Sequence, residues 1–213
     1  MIYDASASIL TVLTAAATID LTTLARAKQE LGVTTNATDD LIGAWIHETS
    51  ARIASACNRP FGLERLQEAF DPSGPHHWRQ QSSPVLRLSR WPVVSIESIS
   101  IDGVLLDPTG YQVDFATGLI YRVTERWHGQ IVVIYSAGYE LVADLPYDIE
   151  AACLQLLRYR QSSASRDPME RSRNIPDVMD VTYWVGPVPG GLTGNLPTDV
   201  AAMLQPYTSP NVA

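Results

Sequence analysis

The spacing of apolar residues changes twice along this 213-residue chain, and this feature constrains its fold most. Before about residue 60, and again after residue 146, apolar residues recur every three or four positions, which is typical of amphipathic helices. Between Leu63 and Tyr139 they alternate with polar residues, which is typical of half-buried strands. The pattern predicts an α+β fold with a small bundle of three main helices, an inserted antiparallel β-meander domain and an extended C-terminal arm.

These changes divide the chain into four segments, and its length suits one ordinary domain with an arm. An N-terminal segment with the first two helices comes first, then the β-domain, then the third bundle helix, and finally the arm with its short terminal helix. The predicted boundaries are 1–62, 63–143, 144–166 and 167–213.

Local signals mark the ends of the first two helices. Thr22 or Thr23 is predicted to cap the first, because a Thr hydroxyl can accept an N–H of the first turn, and Gly32 to stop it. Thr38 is predicted to cap the second helix and Pro60 to end it. The apolar stripe of the second helix consists of Ile42, Trp45, Ile46, Ile53 and Cys57.

The third helix has a proline start. Pro146 is predicted at its first position, where a missing N–H costs nothing. Asp148 and Glu150 follow in the first turn, where the helix dipole favours negative charge. We expect the helix to end before Asp167. Its core-facing stripe consists of Ile149, Cys153, Leu156, Leu157 and Arg160.

Turn signals divide the alternating region into strands. The strongest is Asp102-Gly103, because this pair supplies the positive φ angles of a type I′ hairpin turn. A slip in apolar parity near Glu97–Ser98 predicts either a β-bulge or burial on both faces. The run Ile131–Tyr135 is apolar throughout and is expected at the centre of the sheet.

Charge excludes some classes of function. With 23 acidic and 15 basic side chains the formal net charge is -8, which disfavours a free-standing nucleic-acid binder. No apolar run is long enough to cross a bilayer, and the N-terminus lacks the basic start of a signal peptide. We therefore expect no membrane contact and a protein that stays in the cytoplasm where it is made. Cys57 and Cys153 are expected to be free, buried thiols.

Motifs that would indicate catalysis are missing from the sequence. It has no phosphate-binding Lys loop, nucleophile elbow or paired Cys motif, and helix capping explains the adjacent Asp39 and Asp40. His76 and His77 offer two metal ligands, whereas zinc needs three or four. No catalytic, cofactor-binding or metal-binding residue is therefore assigned, and no enzyme is expected. The alternative of a different class is a soluble binding module or small enzyme that uses the His76-His77 loop.

A cluster of arginines surrounds the end of the third helix. Its members are Arg158, Arg160, Arg166, Arg171 and Arg173. They form either a solvated helix end that complements the dipole or a docking site for an acidic protein, because guanidinium groups pair with carboxylates. Direct DNA contact is disfavoured by the acidic excess.

The Pro- and Gly-rich arm retains apolar and aromatic anchors. These are Val181, Tyr183 and Trp184, followed by a short helix from Thr198 to Tyr207. Such a segment either orders on a partner or folds back on its own domain, and both alternatives stay open.

Nine motifs occur in an order that is informative. They are Leu21–Lys28, Asp39–Ile42, Cys57–Phe61, Leu88–Ile96, Ile101–Gly103, Tyr111–Asp114, Gly118–Arg122, Tyr135–Tyr139 and Leu196–Tyr207. In this order they resemble the tailed-phage head-to-tail connector proteins, the adaptor or head completion family. The resemblance covers most of the chain.

This resemblance implies a structural role in the virion neck. Members of the family form a ring, usually twelve-fold, beneath the portal protein, and the ring carries the DNA channel on toward the stopper and tail. Their fold is a helical bundle bearing a small β-domain, with a C-terminal segment that grips the portal. DNA would pass through the lumen without specific binding. A stopper or tail-completion protein of the same neck is the alternative within this class.

We hypothesise two sets of contact residues for such a role. Those expected to bind the portal are Val181, Tyr183, Trp184, Leu204, Tyr207, Arg166, Arg171 and Arg173. Those expected at the interface between ring subunits are Trp45, Ile46, Ile53 and Arg158. Deleting residues 175–213 is then expected to abolish portal attachment and to leave a folded core. The hairpin tips at 102–103 and 128–129 are expected to face the next neck component.

Overall fold

The helices and strands fall into two units, which we call the β-unit and the helical unit. The computed structural model describes residues 2–3, 8–70, 84–164, 172–175, 179–182 and 196–209. The β-unit contains the described residues up to 18 and from 61 to 140, and the helical unit contains those from 19 to 60 and from 141 onward. A set of helices with an inserted, mainly antiparallel β-domain confirms the predicted α+β class.

The β-unit contains two sheets. Its strands are β1 (Ile2–Tyr3), β2 (Ser8–Thr14), β3 (Glu64–Phe70), β4 (Val85–Arg87), β5 (Val93–Ile101), β6 (Val104–Leu105), β7 (Tyr111–Asp114), β8 (Leu119–Arg122) and β9 (Ile131–Ala137). The larger sheet is antiparallel, with the order β2-β3-β9-β5-β6, and the smaller has the order β1-β4-β8-β7, with β1 parallel to β4. Strand β9 lies at the centre of the larger sheet, as its apolar sequence predicts.

Two local features of the larger sheet are confirmed. Asp102 and Gly103 have φ angles of 50° and 80°, which fit the type I′ turn between β5 and β6. The register between β5 and β9 shifts between Ile96 and Ser98, at the predicted β-bulge. The sequence does not predict strand β2. Its residues do not alternate between apolar and polar, and the strand is paired with β3, which is distant in the chain.

One hydrophobic core occupies the β-unit. Its buried members are Leu66, Phe70, Leu86, Leu88, Val93, Ile99, Ile120, Trp127, Ile131, Val133, Tyr135 and Ala137. Although Ile131–Tyr135 of β9 is apolar throughout, only alternate residues are fully buried, and Val132 and Ile134 are partly exposed on the other face. That outer face of the sheet is therefore apolar at its centre without being part of the core.

Gly138 follows β9 at a close backbone approach that a larger residue cannot make. Its φ is 112°, and a Cβ atom there would overlap the carbonyl group of Gly62. Gly138→Ala is expected to destabilise the β-unit by about 2 kcal/mol or more in urea denaturation, because both the φ angle and the contact are unfavourable for alanine.

Gly43 provides the matched control for this substitution. A Cβ atom at Gly43 would meet no neighbour, and the residue lies inside a helix. Gly43→Ala is therefore expected to stabilise the chain by about 0.5–1 kcal/mol. Equal denaturation curves for Gly138→Ala and the wild type would contradict the close approach.

Four α-helices occur in the described part of the helical unit. They are α1 (Leu24–Leu31), α2 (Asp39–Ala56), α3 (Tyr147–Ala164) and α4 (Thr198–Leu204). A two-stranded antiparallel sheet, β10 (Ser172–Ile175) with β11 (Met179–Thr182), lies between α3 and α4 in the chain. No described helix combines the length and apolarity that a membrane span requires.

The predicted ends of α1 and the predicted start of α2 are confirmed, and the predicted end of α2 is corrected. The Thr23 hydroxyl accepts the N–H of Arg26 at 3.2 Å, and Gly32 follows the last turn of α1. Thr38 is the N-cap residue of α2, as predicted, but its hydroxyl makes no hydrogen bond to the helix. Helix α2 ends at Ala56, well before Pro60, because the chain turns soon afterwards in a left-handed conformation.

Helix α3 begins one residue later than predicted. Pro146 precedes the helix, and its carbonyl accepts the N–H groups of Ile149 and Glu150 at 3.0 and 3.4 Å. The core-facing stripe is confirmed except for Arg160, whose side chain is 48% exposed. A guanidinium group is costly to bury, and Arg160 instead reaches Glu48 on the surface.

The helices pack around one apolar cluster with polar links beside it. The cluster contains Ala27, Ile42, Ile46, Leu154 and Leu157, with Trp45 packed against it. The N–H of Leu21 donates to the Ser50 hydroxyl at 3.0 Å, and the Thr22 hydroxyl donates to Glu150 at 2.9 Å. These bonds fix the segment before α1 against both α2 and α3.

Candidate interaction surfaces

A buried carboxylate lies at the centre of the β-unit. Glu68 on β3 is fully buried and accepts hydrogen bonds from the hydroxyls of Ser8 and Ser89, both at 2.5 Å, and of Tyr135 at 2.7 Å. The N–H of Ser89 donates to the same carboxylate at 3.0 Å. Burial and the adjacent carboxylate raise the pKa of the Tyr135 hydroxyl far above its usual range.

This arrangement ties the fold together and offers no room for a substrate. The four donors come from β2, from the segment after β4 and from β9, so Glu68 links three parts of the β-unit. A carboxylate that is enclosed and fully hydrogen-bonded has no exposed oxygen for acid–base chemistry. Glu68 is therefore a structural residue.

The residues considered for metal or thiol chemistry give no described site. In the described ranges no group of three His, Cys, Asp or Glu side chains could hold a metal ion, and His76 and His77 lie outside those ranges. Cys57 and Cys153 are free and buried, as predicted. Burial raises the pKa of both thiols, which disfavours the reactive thiolate.

A small charged cleft lies between α2, α3 and the start of α4. Its volume is about 140 Å³, below the range of small-molecule sites. We call it the arginine cleft, and its polar lining includes Glu48, Arg52 and Arg160. Arg160 pairs with Glu48 at 3.0 Å, whereas Arg52 has no ion-pair partner among the residues that the structure describes. The residues that line the cleft therefore carry one more positive than negative charge.

A second exposed surface lies at the start of α3. Tyr147 is 87% exposed, and the exposed carboxylates of Asp144 and Asp148 lie on either side of it in the chain. We call these three residues the acidic corner. A solvent-exposed tyrosine flanked by carboxylates indicates a surface suited to a cationic partner.

Most residues predicted at the subunit interface lie inside the helical unit. Ile46 and Ile53 are buried, and Trp45 is partly buried against the apolar cluster. Arg158 lies on the surface, where its guanidinium is 2.5 Å from Glu30 of the same chain. Ile46 and Ile53 are thus covered by their own chain, since the helices pack their apolar stripes against one another.

The terminal helix of the arm folds back on its own unit. Leu204 is only 2% exposed, and Tyr207 is partly buried with its hydroxyl 3.4 Å from Asp148. The hydroxyl of Tyr159 on α3 donates to Asp199 at 2.7 Å, and this bond raises the pKa of Tyr159. For residues 196–209 the fold-back alternative is therefore the one observed, and Leu204 is not an exposed anchor.

The other residues predicted to bind the portal have no described side chains. Arg173 and Val181 lie in β10 and β11, for which only the backbone is described. Arg166, Arg171, Tyr183 and Trp184 lie outside the described residues. Their role in portal binding stays a prediction.

The two hairpin tips of the β-unit lie side by side. Asp102 exchanges backbone and side-chain hydrogen bonds with Gln130, with both distances 2.8 Å. The turns at 102–103 and 128–129 therefore form one surface feature.

Comparison with known proteins decides the family. The family described as head completion protein matches residues 20–175, which is most of the chain. The chain belongs to the head completion protein family. A search of curated proteins finds no match.

Solved structures share the fold of this head completion protein. A chain in the neck of an empty gene transfer agent (GTA) particle computed with C6 symmetry has 16% identity and a TM-score of 0.57. A chain in the neck of the native GTA particle computed with C12 symmetry has 16% identity and a TM-score of 0.56. Each match covers 96% of this chain and 97% of the other. The likeness thus extends over both units.

Family membership indicates a structural particle protein, which is not an enzyme class. The exposed surfaces of this head completion protein are therefore its candidate functional sites. The sequence singles out Arg160 as part of an arginine cluster but gives no sign that Arg52 lies near it in space. It also gives no sign that Tyr147 is exposed. Only the packing of α2 against α3 brings Arg52 and Arg160 to one cleft.

Proposed function

We propose that this head completion protein is the adaptor of a virion neck. Copies of the chain form a ring beneath the portal protein, and the ring continues the DNA channel toward the stopper and tail. The observation that carries the proposal is the end-to-end likeness to chains of GTA necks. The chain is made in the host cytoplasm and acts in the assembled particle.

The symmetries of those neck assemblies support a twelve-membered ring. One was computed with C6 and another with C12 symmetry. A ring of twelve copies satisfies both, because a twelve-fold axis contains the six-fold one. Cyclic rings of identical subunits use a heterologous interface, in which two different surfaces of the chain meet.

The charge of the chain suits a conduit for DNA. Each copy carries a formal net charge of -8, so twelve copies present a strongly acidic ring. Phosphate neutralisation drives non-specific DNA binding, and an acidic lumen avoids it. DNA then slides through without specific contacts.

Part of the arm is the portal-binding segment in this proposal. Tyr183 and Trp184 supply the aromatic anchors, together with Val181. The nearby Arg166, Arg171 and Arg173 meet acidic groups of the portal. The buried Leu204 is not part of this contact, since its own unit covers it.

Replacing Tyr183 and Trp184 together with alanine tests this assignment. The double variant is expected to lose at least roughly tenfold in affinity for purified portal protein, because aromatic anchors dominate such interfaces. Co-sedimentation with portal rings measures the loss. Phe115→Ala is the control, since Phe115 is an exposed aromatic residue of the β-unit outside the arm. Equal binding by the double variant and the wild type would contradict the role of the arm.

The same assay separates the adaptor from the stopper. An adaptor binds the portal with no other neck protein present, whereas a stopper needs the adaptor first. Binding of the wild-type chain to portal alone supports the proposal. Binding that requires another neck protein would assign the chain to the stopper position.

A further inference from the structure

Two surfaces of the helical unit are complementary in charge but cannot meet within one chain. They are the arginine cleft, with Arg52 and Arg160, and the acidic corner around Tyr147. Residues 147 and 160 lie thirteen positions apart on the same helix α3. Helix geometry places them about 20 Å apart along the axis and about 140° apart around it. The cleft and the corner therefore face in different directions.

The arginine cleft is suited to a carboxylate side chain of a protein. Glu48 already neutralises Arg160, so the exposed Arg52 supplies the uncompensated charge. Arg52 lies one helical turn after Glu48 on the same face of α2, and Leu156 adds an apolar wall. A volume of about 140 Å³ admits one or two side chains and no cofactor.

The acidic corner supplies matching groups. The ring of Tyr147 is the most exposed of the large hydrophobic side chains described, and Asp144 and Asp148 add negative charge beside it. A tyrosine ring can stack on a guanidinium group while a neighbouring carboxylate pairs with it. Asp148 receives only a long 3.4 Å hydrogen bond from Tyr207, which leaves the carboxylate accessible.

We infer that the arginine cleft of one subunit receives the acidic corner of the next subunit in the ring. This inference rests on the proposed function and names its subunit contact. Because the two surfaces differ and face in different directions, their pairing is head-to-tail and generates a closed ring or a helix rather than a two-fold dimer. Paired charges also allow copies of net charge -8 to associate.

A nucleic-acid phosphate is the other anion that an arginine cleft can take. Glu48 lies in the cleft and is 56% exposed, so it repels the dense negative charge of a duplex. One uncompensated charge also matches a single carboxylate better than a row of phosphates. These observations favour the protein partner.

Charge reversal with rescue tests the contact on the full-length chain. The variants are Arg52→Glu, Asp148→Arg and the two combined, with Arg26→Glu as the control. Arg26 is exposed on α1 and bonds to Gln29 of its own helix, so its reversal changes the charge equally without touching the cleft. Ring formation is followed by sedimentation velocity and electron microscopy, with and without portal protein.

The single reversals are expected to weaken assembly roughly tenfold or more, and the combined variant to restore it. Arg26→Glu is expected to assemble like the wild type. Tyr147→Ala, at an exposed position that cannot disturb folding by leaving a cavity, is expected to weaken assembly as well. Circular dichroism confirms that each variant is folded.

Three results would overturn the contact. The first is normal ring formation by Arg52→Glu, and the second is failure of the combined variant to assemble. The third is loss of duplex DNA binding by Arg52→Glu with intact rings, which would assign the cleft to phosphate. In all three the wild-type chain still forms rings, so the ring of the proposed function stands, and the third result would contradict only the passage of DNA without contacts. If the wild-type chain forms no ring alone or on portal, the proposed function fails together with this inference.

Discussion

Glu68→Ala is expected to unfold the β-unit under conditions in which the wild-type chain is stable. The substitution leaves the buried hydroxyl of Tyr135 and the partly buried hydroxyls of Ser8 and Ser89 without their shared acceptor. A buried donor that loses its acceptor costs about 1–3 kcal/mol, and here several donors lose the same acceptor. Such a loss is a large fraction of the roughly 5–15 kcal/mol by which domains are stable.

Hydrogen exchange read by mass spectrometry measures this effect in each unit separately. Peptides from β9 are expected to lose protection in Glu68→Ala, while those from α3 keep it. Glu97→Ala is the control, because Glu97 is an exposed residue of the same sheet whose pair with Arg65 lies on the surface. Such a pair contributes no more than about 1 kcal/mol. Unchanged protection of β9 in Glu68→Ala would show that the network is dispensable.

Deleting residues 196–213 is expected to destabilise the helical unit as well as shorten the arm. The sequence alone suggests that the arm can be removed without harm to the core. In the structure Leu196, Val200 and Leu204 are at most 3% exposed, so they belong to the core of the unit. Their loss removes three buried aliphatic side chains and the Tyr159–Asp199 bond, at a cost of more than about 3 kcal/mol.

Truncation after Ser209 is the matched control for this deletion. It retains α4 and the hydrogen bond from the N–H of Ser209 to the carbonyl of Cys57, at 2.9 Å. Urea denaturation followed by helical circular dichroism is expected to shift for the long deletion and to remain unchanged for the control. Identical midpoints for both would mean that α4 contributes nothing to the unit. A portal-binding defect in the long deletion would then reflect the arm alone.

Elements specified by neighbouring residues could be predicted from the sequence. The cap at Thr23 and the type I′ turn at Asp102-Gly103 depend on a few residues each, and both are observed. Strand β2 could not be predicted, because it has no alternating pattern and is stabilised by pairing with residues some sixty positions away. Thr38 shows the reverse case, in which a suitable cap residue adopts a conformation that does not use its hydroxyl.

The buried and surface sites depend on long-range packing. In the sequence Glu68 is one of several polar residues of a strand. Its burial is possible because hydrogen-bond donors that are distant in the sequence surround it in the fold. The apolar stripe of α2 suggested contact residues for a neighbouring subunit, but Ile46 and Ile53 pack within the chain. Arg52 and Arg160 are separated by 108 positions, so no sequence spacing relates them to the same cleft.

The inserted segment of the β-unit enters and leaves the chain at adjacent points, and this has a consequence for evolution. Gly62 and Tyr139, at its entry and exit, form a β-bridge, and β3 pairs with β9 directly beside them. The two ends of the inserted segment are therefore adjacent. An insertion of a different size can replace it without changing the distance between the ends of the flanking chain. Strands β1 and β2 of the N-terminal segment pair with β4 and β3, so they have to be exchanged with it.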